Sequence, residues 1–66
     1  MILKLNGSDR EVLEGQPLLH LLASLGLPPA RVAIERNGEI VPREMYPGTV
    51  LADGDCIEIV QFVGGG

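Results

Sequence analysis

The apolar positions of this chain change period along its length, and each change marks the start of a new element. In MILKLNGSDREVLEG, Leu3 and Leu5 fall two apart, as on one strand face, Asn6-Gly7 supplies a tight turn, and Val12 and Leu13 belong to a second run. An N-terminal β-hairpin is predicted. In GQPLLHLLASLGLPP the spacing becomes helical. Leu18, Leu21, Leu22 and Leu25 share one face, Pro17 suits the first turn, Gly26 suits the C-terminal cap, and Pro28-Pro29 stops the helix. Alternation returns in RVAIERNGEIVPRE, where Val32 and Ile34 share a strand face, Asn37-Gly38 turns the chain, and Ile40 and Val41 make a short return that Pro42 ends. The stretch REMYPGTVLADGD has no period and reads as irregular. In the closing run CIEIVQF, Ile57 and Ile59 alternate with Cys56, Glu58, Val60 and Phe62.

Two strands, a helix and then further strands predict an α+β domain, a small mixed sheet packed on one amphipathic helix. The leucine stripe then meets Leu3, Leu5, Val32, Ile34, Ile57 and Ile59. The opposite sheet face carries Val60 and Phe62, and no remaining element can cover them. Exposed apolar side chains there are a candidate partner surface, with Glu58 on the same face able to orient a basic partner. The sequence shows neither an internal repeat nor a second domain.

Composition narrows the function classes. A chain of 66 residues makes one domain, and one of this size buries only about 60% of the surface its unfolded chain exposes, which leaves little material for a deep pocket. With 45% hydrophobic residues but only Tyr46 and Phe62 as aromatics, the core must be aliphatic. A formal net charge of −4 argues against nucleic-acid binding and suits a partner that offers Arg or Lys. The lone Cys56 excludes an internal disulfide framework, and no Cys/His set has metal-ligand spacing. The apolar run at the N-terminus is too short for a signal peptide, and none is long enough to span a membrane, so a cytoplasmic location is expected.

Several single residues invite chemistry. His20 sits off the leucine stripe and reads as a solvated surface histidine. Cys56 opens the last strand and is expected to be a small, partly buried side chain without chemistry of its own. Asp53-Gly54-Asp55 lacks the further ligands of a calcium loop and reads as a turn. Pro42-Arg43-Glu44 has two readings: Arg43 engages a partner carboxylate, or the segment is a rigid strand exit with a solvated ion pair.

The element order, together with NGEIVPRE, LADGDCIEIV, the helix segment GQPLLHLL and the terminal GGG, resembles the ThiS family, the β-grasp, ubiquitin-like sulfur carriers of thiamine biosynthesis. The resemblance covers essentially the whole chain. It implies a β-grasp domain over residues 1–63 and a C-terminal glycine tail over residues 64–66. It further implies that an E1-like enzyme of the ThiF type adenylates the carboxylate of Gly66 using ATP and magnesium, none of which this chain binds by itself. Sulfur from a persulfide donor such as a cysteine desulfurase then yields a thiocarboxylate, which passes sulfur to a thiazole synthase of the ThiG type. Gly65 is the other residue of the matched motif, and Gly64 extends the run. On this reading the chain is a protein co-substrate, not an enzyme.

Elementary chemistry agrees with that implication. A C-terminal carboxyl of pKa about 3.5 is ionised at neutral pH and can attack an activated phosphate, but it is no electrophile until a leaving group is installed. Three extended glycines reach about 10 Å into a narrow site with no Cβ to obstruct passage. They also carry an ordering cost of roughly 1–2 kcal/mol per residue, so affinity must come from Val60, Phe62 and their face. Alternatives within reach of the same residues are a carrier for molybdopterin, tRNA thiolation or cysteine synthesis, a ubiquitin-like modifier joined to lysines, and a non-catalytic β-grasp interaction module.

Overall fold

The protein is described here from a computed structural model, in which residues 1–62 are described. Two Asn-Gly pairs place the hairpins. Asn6 and Gly7 adopt φ of 48° and 84°, and Asn37 and Gly38 adopt 53° and 86°, the left-handed backbone that a two-residue turn between twisted strands requires. The first turn joins β1 (Ile2–Leu5) to β2 (Ser8–Glu11), and the second joins β3 (Val32–Arg36) to β4 (Glu39–Ile40). β2 ends before Val12, which is half-buried and donates its amide to Met1 O at 2.9 Å, whereas Leu13 is exposed. The second run is therefore shorter than its apolar residues suggest.

The helix α1 (Leu18–Ser24) starts one residue later than expected, with Pro17 as its N-cap. Its end follows the glycine rule: Gly26 has φ 71°, the Leu27 amide donates to Leu22 O at 2.9 Å, and the Gly26 amide donates to Ala23 O at 3.1 Å. Leu18, Leu21 and Leu22 are fully buried, and Leu25 is half-buried at the helix end.

β5 (Cys56–Gln61) lies at the centre of a five-stranded sheet of order β2-β1-β5-β3-β4. It runs parallel to β1 and antiparallel to β3. Leu3, Val32, Ile34 and Ile57 face the helix and form the core with its leucines, while Leu5 and Ile59 are half-buried at its rim.

Two core residues come from the stretch that showed no period. Arg43–Gly48 forms a 3-10 helix, and Tyr46 within it is 2% exposed, as is Leu51 beyond it. β4 explains why Tyr46 is needed. The ladder between β3 and β4 reaches only as far as the Val41 amide on Ile34 O, at 2.9 Å, which leaves the carbonyl of Val32 without a strand partner. The Tyr46 hydroxyl and the Arg43 Nη2 donate to it instead, at 3.5 and 3.4 Å.

Candidate functional site

The outer face of the sheet follows from the β3–β5 register. Ala33 is opposite Val60, Glu35 is opposite Glu58, and Ile40 is opposite Glu35. Residues directly opposite one another project to the same side, so Val60, Ile40 and Ala33 form an apolar patch crossed by two carboxylates. Val60 is 60% exposed, Phe62 49% and Ile40 77%. A shallow dimple of about 80 Å³ sits among Ala33, Glu35, Ile40, Glu58 and Val60. Like charges placed directly opposite each other destabilise a sheet, and a cation seated between Glu35 and Glu58 removes that penalty. The structure thus brings Val60, Phe62 and Glu58 together and adds Glu35 and Ile40. The sequence held a signal for both, since alternation from Ile34 puts Glu35 outward and the short return after Asn37-Gly38 carries Ile40.

Arg43 does not line this dimple. Its Nε donates to Pro29 O at 2.9 Å, which ties its 3-10 helix to the short 3-10 helix Pro29–Arg31 before β3, and it forms no ion pair with Glu44. Cys56 was expected to be partly buried but is exposed. Its register partner is Lys4, on the outer face, which no layer covers among the described residues. His20 is exposed on the helix. Gly64, Gly65, Gly66 and the expected boundary after residue 63 lie outside the described residues.

The base of β5 is fixed by a polar cluster that reading Asp53-Gly54-Asp55 as a plain turn does not reveal. Asp55, 6% exposed, accepts from Arg36 Nε at 2.9 Å, Asn37 Nδ2 at 3.0 Å and the Ala52 amide at 2.9 Å. Asn37 Oδ1 in turn accepts from the Cys56 amide at 2.9 Å. Burial alone would raise the pKa of Asp55, but the Ala52 amide, the Asn37 amide and the Arg36 guanidinium together outweigh it and hold the carboxyl below its ordinary value. Among the described residues no three His, Cys, Asp or Glu side chains gather as a metal site, and no helix is long and apolar enough to cross a membrane.

One helix held against a five-stranded mixed sheet of this order, with parallel first and last strands, defines the β-grasp, ubiquitin-like class of proteins. The ThiS family model matches residues 3–66, and the chain belongs to that family. It is 46% identical to the sulfur carrier protein ThiS of Bacillus subtilis, with 98% of this chain and 100% of that protein aligned. The crystal structure of the thiamine biosynthesis protein ThiS from Geobacter metallireducens superposes with a TM-score of 0.84 at 38% identity, covering all of both chains. A thiazole synthase of Paramagnetospirillum magneticum is 44% identical over 66 residues; the chain spans 20% of the length of that protein and of a second thiazole synthase, from Magnetococcus marinus.

Proposed function

We propose that this chain is a sulfur carrier of thiamine biosynthesis, loaded at the carboxylate of Gly66. The observation that carries the proposal is the family match running through Gly65 and Gly66, on a fold whose outer face offers Val60, Phe62 and Ile40 uncovered. The reaction requires Gly66 to bear a free carboxylate. An oxygen of that carboxylate attacks the α-phosphorus of magnesium-bound ATP held by an E1-like enzyme of the ThiF type, and pyrophosphate leaves. The terminal sulfur of a persulfide, such as that of a cysteine desulfurase, then attacks the acyl carbon and AMP departs. A thiol reduces the resulting acyl disulfide, releasing the thiocarboxylate and leaving a disulfide on the donor side. None of these steps draws on a side chain of this chain, which supplies the acyl group and the docking face.

A thiazole synthase of the ThiG type is the acceptor on this reading, supported by the two thiazole synthases in which a domain like this one is part of the same polypeptide. The acidic pair Glu35 and Glu58, set among apolar side chains, suits partners that present Arg or Lys. Adenylation is tested by ATP–pyrophosphate exchange with an E1-like enzyme. Exchange that depends on this chain and disappears when Gly66 is amidated supports the proposal, and exchange indifferent to amidation contradicts it.

A further inference from the structure

β5 has a strand on both sides for only part of its length. Towards β3 the Phe62 amide donates to Arg31 O and the Asn37 amide to Cys56 O, both at 2.8 Å, so in this register Gln61 and Val32 form a pair without mutual hydrogen bonds. The N–H and C=O of Gln61 therefore point to the other side of β5, the side of β1. There the Lys4 amide bonds Asp55 O and the Asn6 amide bonds Ile57 O, each at 2.9 Å, before the chain turns away at Asn6-Gly7. The side chain of Asn6 takes the next step in place of a strand: its Oδ1 accepts from the Ile59 amide at 2.7 Å and its Nδ2 donates to Ile59 O at 3.3 Å. Among the described residues nothing bonds the following pair of groups, those of Gln61. Beside them lies an open groove of about 270 Å³, lined by Leu5, Asn6, Leu25, Leu27, Ile59 and Gln61.

We propose that this vacated lane receives an extended strand of a partner protein, which pairs with the Gln61 backbone and seats one aliphatic side chain on Leu25, Leu27 and Ile59. A donor and an acceptor side by side at the rim of a sheet are complementary to a peptide group, and the amide of Asn6 already imitates one a step earlier. The half-buried leucines beside the lane extend the core outward and give an alternate side chain of the incoming strand an apolar seat. The partner is a thiazole synthase, an assignment that rests on the function proposed above. In two relatives a domain like this one belongs to a polypeptide of that name, and the lane flanks the strand that leads in sequence to Gly66.

The test uses the full chain and a thiazole synthase. Gln61→Pro removes the outward N–H without breaking a bond to β3, and Gln61→Ala keeps that N–H while removing the side chain. The lane predicts that Gln61→Pro weakens binding about tenfold and Gln61→Ala only slightly. It also predicts that hydrogen exchange at the Gln61 amide is fast in the free chain and slows in the complex. Binding retained by Gln61→Pro, with unchanged exchange at Gln61, overturns the lane and leaves the function standing. Absence of binding by the unaltered chain overturns both. Protection of Gln61 that appears in the chain alone as its concentration rises assigns the lane to a second copy and overturns the partner.

Discussion

Asp55 Oδ2 lies 2.9 Å from Arg36 Nε, joining the first residue before β5 to the last residue of β3. The pair closes the sheet at the end opposite Phe62. With Asn37 and the Ala52 amide on the same carboxylate, it couples the β3–β4 turn to the turn that launches the strand leading towards Gly66. The cluster thus anchors the start of the strand whose far end carries Val60 and leads to Phe62.

Removing the carboxylate leaves the Ala52 and Asn37 amide donors and the Arg36 Nε without their acceptor, while Arg36 Nη2 keeps Val50 O. Asp55→Ala is expected to cost about 2–3 kcal/mol in denaturant unfolding, and Asp55→Asn somewhat less. The folded-state pKa of Asp55 is depressed. Its ionisation therefore contributes stability that is fully present above the unfolded value of about 3.9 and lost as pH falls through the lower folded value. Unfolding curves taken across that acidic window should show a steeper loss for the unaltered chain than for Asp55→Asn; equal slopes would remove Asp55 from the account.

Tyr46 should separate packing from hydrogen bonding. Tyr46→Ala empties a buried aromatic site and is expected to cost about 3–5 kcal/mol. Tyr46→Phe gives up only a long contact to Val32 O, shared with Arg43, and is expected to stay within about 1 kcal/mol. Thermal or urea unfolding of the two variants checks the ordering.

Tyr46 also marks where sequence reading loses its grip. The strands and helix are legible because burial on one face imposes a period of two or 3.6, and because Asn-Gly announces positive φ at Asn6 and Asn37. A 3-10 helix of 6 residues with Pro47 inside it imposes no such period, so Tyr46 and Leu51 could not be told from loop residues. Asp55 fails for a different reason. Its local pattern specifies a turn, but its partners Asn37 and Arg36 lie 18 and 19 residues away, and only the register between β3 and β5 brings them together. Val60, Phe62 and Glu58 were legible because alternation fixes the outward face once Ile57 and Ile59 are assigned inward.

Phe62 should matter more to association than to folding. It follows β5 half-exposed, outside the buried core. Phe62→Ala is expected to destabilise the fold by less than about 1 kcal/mol, while an aromatic anchor of an interface is worth about 2 kcal/mol or more. Calorimetric titration against an E1-like enzyme and a thiazole synthase, paired with unfolding of the same variant, reads both quantities. A badly destabilised fold with unchanged binding would reverse the assignment.

Deleting Gly66, or appending one residue after it, should abolish sulfur transfer, because the displaced carboxylate no longer reaches the position where activation occurs. Among the described residues the core runs from Leu3 to Ile57, and a terminal glycine brings no side chain to pack, so the melting temperature should match that of the unaltered chain. Transfer that persists after the deletion would place the reactive group elsewhere.

On the proposed function, sulfur is carried on the carbon of Gly66. Incubate the chain with ATP, magnesium, an E1-like activating enzyme and a persulfide donor, then measure intact mass and the masses of C-terminal fragments. Loading at Gly66 predicts a gain equal to the difference between one sulfur and one oxygen, confined to the fragment ending in Gly66 and absent without ATP. A gain of one whole sulfur on Cys56 with Gly66 unchanged, or no gain with an enzyme shown to load another ThiS-family carrier, would contradict it.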